Sequence, residues 1–109
     1  MSFDIPAPKK VRINAKKVLE KDIENPVCKY ARAKGLLAYK FTSPNRRSVP
    51  DRIFIGPDGL VFFIEFKAPG GKPTESQARE IRRLRALGHI VEVVDNVLKG
   101  QRLIDIVME

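Results

Sequence analysis

The sequence predicts an α/β fold in a single domain, and three observations predict it. Apolar residues recur at helical spacing in the first third of the chain. A turn-forming tetrapeptide separates two strand-like runs in the middle. One of those runs is apolar on both faces, a pattern that belongs to a central strand covered on both sides. A length of 109 residues suits one domain with a modest core and leaves no room for two. Read in order, the elements are a helix, three strands, a helix, a strand and a last short helix.

Residues 1–13 carry Pro6, Pro8, Lys9, Lys10 and Arg12 without a clear period, and read either as a flexible basic arm or as a terminus of no consequence. The folded domain then spans 14–109. From about residue 15 to Lys34, Leu19, Ile23, Val27, Tyr30 and Ala31 recur at spacings of three and four, and Gly35 supplies the stop. Pro26 removes a backbone donor inside this stretch, so the expectation is a kinked or split helix with Asn25 capping the second piece. Leu36 to Thr42 reads as a strand, and the polar, basic segment Ser43 to Pro50 as a loop. Asp51 to Ile55 and Leu60 to Lys67 read as strands flanking Gly56-Pro57-Asp58-Gly59, a hairpin signal. Ala68 to Lys72 forms a glycine-rich loop. Thr74 opens a helix to about Leu87, Gly88 ends it, Ile90 to Val94 is the fourth strand, and Val97 to Met108 the last helix.

Charge narrows the function classes. There are 21 Lys and Arg against 13 Asp and Glu, giving +8 and a pI near 9.9. A field of that sign favours polyanions, nucleic acid first and acidic membrane second. No apolar run is long enough to cross a bilayer, and the N-terminus lacks the apolar block of a signal peptide. The expectation is therefore a soluble protein of the cytoplasm. The single cysteine, Cys28, and single histidine, His89, exclude an internal disulfide and a His/Cys metal cluster. A catalytic metal would have to sit on carboxylates, which suits a hard cation such as Mg²⁺ or Mn²⁺. Cys28 reads as a small packed residue and His89 as the start of a strand.

The hairpin concentrates the chemistry. Phe62, Ile64 and Phe66 line one face of their strand, while Val61 and Phe63, continued by Glu65 and Lys67, line the other. Charged residues are seldom buried unless paired or bound to metal. Pro57 and Asp58 suit the centre of a type I turn, with Gly59 as the left-handed residue after it. Gly56 then faces Leu60, and counting back puts Asp51 opposite Glu65. Opposed side chains of one face lie roughly 5 Å apart at Cβ. Two carboxylates that close repel unless a cation lies between them, and Lys67 offsets part of the charge only. Phosphodiester hydrolysis uses such parts: carboxylates to hold a metal, the metal to activate water, and a cation beside the phosphate.

At Val49-Pro50-Asp51-Arg52 followed by Phe63-Ile64-Glu65-Phe66-Lys67, the chain resembles the PD-(D/E)xK nuclease superfamily. With Ala68-Pro69-Gly70-Gly71-Lys72 and Gln77 added, it resembles the VRR-NUC branch, the virus-type replication-repair nucleases, from about Glu20 to Asp95. Ser48 stands where that pattern has glycine. The resemblance implies a restriction-endonuclease-like αβββαβ core with a mixed central sheet, Mg²⁺ dependence with Mn²⁺ able to substitute, and DNA cleavage. It also implies likeness to junction resolvases that act as homodimers on branched DNA, and a phage or prophage source.

The candidate catalytic set is Asp51, Glu65, Lys67 and Gln77. The candidate metal ligands are Asp51, Glu65, the backbone carbonyl of Phe66, and either Glu20 or Glu24. Facing favours Glu20, which falls among the apolar positions of the first helix; spacing to Gly35 in the resolvases favours Glu24. Gln77 lies three residues after Thr74, so it can form a capping box, and it shares a face with Ile81 and Leu84, which aims it at the sheet. Lys40, Ser43, Arg46, Arg47, Arg52 and Lys72 are candidates to hold DNA phosphates without reading bases. Arg79, Arg82, Arg83 and Arg85 read largely as a solvated face. The leading function is a structure-selective DNA endonuclease. The alternative is a non-catalytic basic nucleic-acid-binding module in which Asp51, Glu65 and Lys67 form a buried ion network. A sequence-specific toxin or restriction nuclease ranks lower, because no base-reading helix is evident.

Overall fold

The computed structural model describes residues 17–109; the basic arm expected at 1–13 lies outside them. The elements are α1 (Glu20–Ala33), β1 (Leu37–Lys40), β2 (Arg52–Ile55), β3 (Val61–Phe66), α2 (Glu75–Ala86), β4 (Ile90–Val94) and α3 (Val97–Val107). The four strands form one sheet in the order β1-β2-β3-β4. β1, β2 and β3 are antiparallel neighbours, whereas β4 runs parallel to β3 after the α2 crossover, so the sheet is mixed. Among the described residues no helix is long and apolar enough to cross a membrane.

The alternation along β3 sorts the sheet into two faces. Phe62, Ile64 and Phe66 pack with Phe54 and Ala38 against Ile23, Val27 and Ala31 of α1 and Ile104 of α3. The Phe54 and Phe62 rings stack there with centroids 4.9 Å apart. On the opposite face Phe63 and Val91 pack under Ile81 of α2. β3 is therefore covered on both sides, as its apolar pattern requires, and the Glu65 face looks toward α2. Gly35 and Gly88 end α1 and α2 in the same way. Each takes a positive φ (95° and 94°), and the next residue bonds back to Ala31 or Leu84, closing a Schellman cap.

The structure departs from the sequence reading in four places. α1 begins at Glu20, not near residue 15; Asp22 accepts the Leu19 N–H at 2.8 Å and secures that start. Pro26 neither splits nor ends α1, which runs unbroken to Ala33. Pro26 is exposed in the second turn, and the carbonyl it deprives of a donor belongs to Asp22, which is exposed and so within reach of solvent. β1 is shorter than Leu36–Thr42 because Leu36 is buried and its N–H closes the α1 cap on Ala31. The turn is not type I. Asp58 (φ 56°) and Gly59 (φ 77°) are both left-handed, and Leu60 N–H donates to the Pro57 carbonyl at 3.1 Å. That is a type I′ arrangement, whose twist matches the paired strands, with Pro57 as the extra residue of a bulge. Gly56 N–H still donates to the Leu60 carbonyl at 2.9 Å, so the expected register survives.

Candidate active site

The β2–β3 ladder pairs Arg52 with Ile64 and Ile53 with Phe63. Extended by one residue, it puts Asp51 opposite Glu65, at the end of the sheet away from the turn. Asp51 is half-buried and accepts the Phe66 N–H on Oδ2 at 2.7 Å. Glu65 is 2% exposed. Its Oε2 accepts from Gln77 Nε2 at 3.0 Å and lies 3.5 Å from Lys67 Nζ. Gln77 holds two positions at once, because its Oε1 accepts the Thr74 N–H at 2.9 Å and its own N–H donates to Thr74 Oγ1 at 3.2 Å. The capping box and the contact with Glu65 thus coexist in one side chain.

Electrostatics mark the pair as short of positive charge. Burial raises Glu65 to about 7, the charge of Asp51 adds to the rise, and Lys67 opposes it. Burial also raises Asp51; the Phe66 N–H works against this, while Glu24 and then Glu20 reinforce it. Among the described residues no three His, Cys, Asp or Glu side chains gather into a cage for an ion. Two carboxylates are nonetheless a sufficient protein contribution for Mg²⁺, which keeps several waters. A third oxygen follows from the register. Phe66 would face Pro50 across the ladder, and proline has no N–H to give the Phe66 carbonyl. That oxygen stays available beside Asp51.

The remaining candidates divide. Ser43, Arg46 and Arg47 line a groove of about 320 Å³ that also reaches Phe41 and Asp51. Lys40 and Lys72 are exposed on β1 and on the loop after β3. Arg52 stands apart from this group: its side chain is 12% exposed, and its Nε lies 2.6 Å from Glu24 Oε2. It ties β2 to α1 through this ion pair, which leaves little of its side chain facing outward to meet a phosphate. The facing argument for Glu20 needs correction. Glu20 is exposed at the first position of α1, whereas Glu24 is half-buried and engaged by Arg52. Neither joins the pair directly, although both charges are felt by Asp51.

Three participants escaped the sequence reading. Asp95 Oδ2 accepts the Gly70 N–H at 3.0 Å and anchors the glycine-rich loop, a contact that holds the Asp95 carboxyl below its ordinary range. Glu80 is buried on α2, with Arg46 Nη1 at 3.5 Å and Arg83 Nε at 3.4 Å from its Oε1. Ser48 Oγ donates to Ser76 Oγ at 2.7 Å. Only Glu80 left a signal in the sequence, as a carboxylate one turn beyond Gln77 on the sheet-facing side of an amphipathic helix.

No model of a known protein family matches the chain. Among curated proteins it is 51% identical over 79 residues to "Putative nuclease p44" of Acyrthosiphon pisum secondary endosymbiont phage 1, covering 72% of this chain and 85% of that relative. Among solved structures it superposes on a VRR_NUC domain with a TM-score of 0.74 and 31% identity, over 79% of this chain and 94% of that one. The mixed four-stranded sheet, the Asp51–Glu65 register and this combination of identity and coverage agree: the chain belongs to the VRR-NUC nuclease family.

Proposed function

We propose that this chain is a Mg²⁺-dependent DNA endonuclease selective for branched substrates. The observation that carries the reading is the opposition of Asp51 and Glu65 on one sheet face, with Lys67 Nζ 3.5 Å from Glu65. Asp51, Glu65 and the Phe66 carbonyl would hold Mg²⁺, or Mn²⁺ in its place. When bound, the ion supplies Lewis-acid charge at the phosphate and acidifies a coordinated water.

The chain's own residues supply the rest. Gln77 orients the Glu65 carboxylate through Oε2. Lys67 directs its ammonium at that same oxygen, where it can donate a hydrogen bond to the incoming water and offer charge to the phosphate. Arg46 and Arg47 hold the DNA backbone in the groove that leads to Asp51. One such site cuts one strand, so paired cuts across a junction call for a twofold homodimer. A phage relative fits an enzyme working on DNA in the host cytoplasm.

The test is a cleavage panel of linear duplex, splayed, flap and four-way-junction DNA, with Mg²⁺, Mn²⁺ or EDTA. Cleavage of branched forms with either metal and none in EDTA is expected. DNA binding without cleavage under any metal would replace this reading with the non-catalytic binding module.

A further inference from the structure

We propose that Glu80 is a positioning residue for the arginine-bearing loop. With Ser76 it pins residues 42–50 against α2, so the helix that orients Glu65 through Gln77 also sets where Arg46 and Arg47 meet the DNA backbone. The proposal rests on the nuclease reading above.

Glu80 is an unexpected residue for its place. It is 7% exposed, next in sequence to the core residue Ile81. Burying a carboxylate is costly without compensation, and a negative charge beside a groove for a polyanion opposes binding. Arg83 on the same helix offers compensation at 3.4 Å, yet the second cation, Arg46 at 3.5 Å, comes from a loop more than thirty residues earlier in the chain. An independent contact joins the same two elements: Ser48 Oγ donates to Ser76 Oγ at 2.7 Å. Both contacts fall on the last stretch of loop before Asp51. Glu80 lies one turn beyond both Ser76 and Gln77 on α2, so a single rigid helix holds the carboxylate pair and the loop in one frame.

The decisive variant is Glu80→Gln, which keeps the shape and removes the charge. If Glu80 only repels DNA, the variant binds more tightly, because net charge rises by one. If Glu80 positions the loop, affinity weakens about fivefold and KM rises while kcat at saturating DNA holds, and the penalty disappears in an Arg46→Ala background. Glu75→Gln, which removes the same charge from an 83% exposed side chain, is the control for that charge effect and is expected to bind slightly more tightly than wild type. Should Glu80→Gln fail to fold, Ser76→Ala deletes an exposed hydroxyl and is expected to raise KM at an unchanged melting temperature. Glu80→Gln binding as tightly as Glu75→Gln, or Ser76→Ala behaving as wild type, overturns the proposal while the nuclease reading stands. A wild-type protein that binds no DNA overturns both.

Discussion

Gln77 donates to Glu65 Oε2 at 3.0 Å through its amide nitrogen while its amide oxygen accepts the Thr74 N–H at 2.9 Å. Helix start and carboxylate orientation therefore share one side chain, and the amide cannot turn over without losing both bonds. The two roles separate by mutation.

Thr74→Ala removes the Oγ1 cap and leaves the amide beside Glu65; Gln77→Ala keeps the Oγ1 cap, which its backbone N–H donates to, and loses the amide's bonds to Thr74 N–H and to Glu65. Each is expected to lower stability by about 1 kcal/mol in denaturant titration. Single-turnover cleavage should fall at least about tenfold for Gln77→Ala, as for other groups that orient a ligating carboxylate. It should stay close to wild type for Thr74→Ala. Equal rates for the two variants would reduce Gln77 to a capping residue.

Binding and cutting are expected to separate in the same manner. Lys67 lies beside Glu65, whereas Arg46 and Arg47 lie along the groove. Lys67→Ala should abolish cleavage and change DNA affinity by no more than a few-fold, because one phosphate contact among several is a small share of the total. Arg46→Ala with Arg47→Ala should weaken binding and flatten its dependence on log salt by up to about two units, with cleavage persisting at saturating protein. Normal cutting by Lys67→Ala would leave Lys67 only a structural partner of Glu65.

The raised Glu65 carboxyl makes the metal-free protein sensitive to pH. Its folded pKa is about 7, above the ordinary carboxyl value of 4.5. The folded state thus binds this proton more tightly than the unfolded chain does. Stability from this group is complete below the unfolded value and is lost as pH rises through 7, by as much as roughly 3 kcal/mol. Burial pushes hardest in that direction, the charges of Asp51 and Glu20 add to it, and Lys67 works against it. In EDTA the melting temperature should therefore fall between pH 5.5 and 8. Millimolar Mg²⁺ should shrink the fall, and Glu65→Gln should remove both the fall and the rescue. A melting temperature flat across this range with and without Mg²⁺ would dismiss the charge-excess argument for a cation.

What was legible in the sequence depended on short range. Asp51 and Glu65 are joined by one hairpin, so counting residues across its turn places them opposite each other even though the turn proved to be type I′. Gln77 was legible because a capping box and a helical face are both local patterns. Arg52 was not, since its partner Glu24 is 28 residues away on another element and nothing near Arg52 announces it. The choice between Glu20 and Glu24 stayed open in the sequence for a related reason. Periodicity assigned both to a helix but could not show that the helix begins at Glu20, which leaves that residue exposed at its first turn. Pro26 misled because the cost of a helical proline depends on whether the deprived carbonyl can reach water, and exposure is a tertiary property.

The contact between α1 and α3 supplies a stability prediction remote from the chemistry. Gly100 lies mid-helix in α3, where glycine costs about 1 kcal/mol relative to alanine. Its compensation is proximity: a Cβ at this position would meet Val27 Cγ2 at 2.6 Å and Cγ1 at 2.9 Å. Val27 is fully buried and β-branched, so its side chain has little freedom to turn aside. Gly100→Ala therefore gains helix propensity and forces the two helices apart, and overpacking of that kind costs about 1–3 kcal/mol. The net expectation is a loss of about 1 kcal/mol in urea denaturation, with cleavage at low temperature unchanged because neither residue touches the Asp51–Glu65 pair. Val27→Ala alone should also destabilise, by leaving a cavity. The double variant should be more stable than the sum of the two losses predicts, since each change makes room for or fills the other. Strict additivity, or stabilisation by Gly100→Ala alone, would mean that the helices separate freely and that the close approach is not what holds glycine at this position.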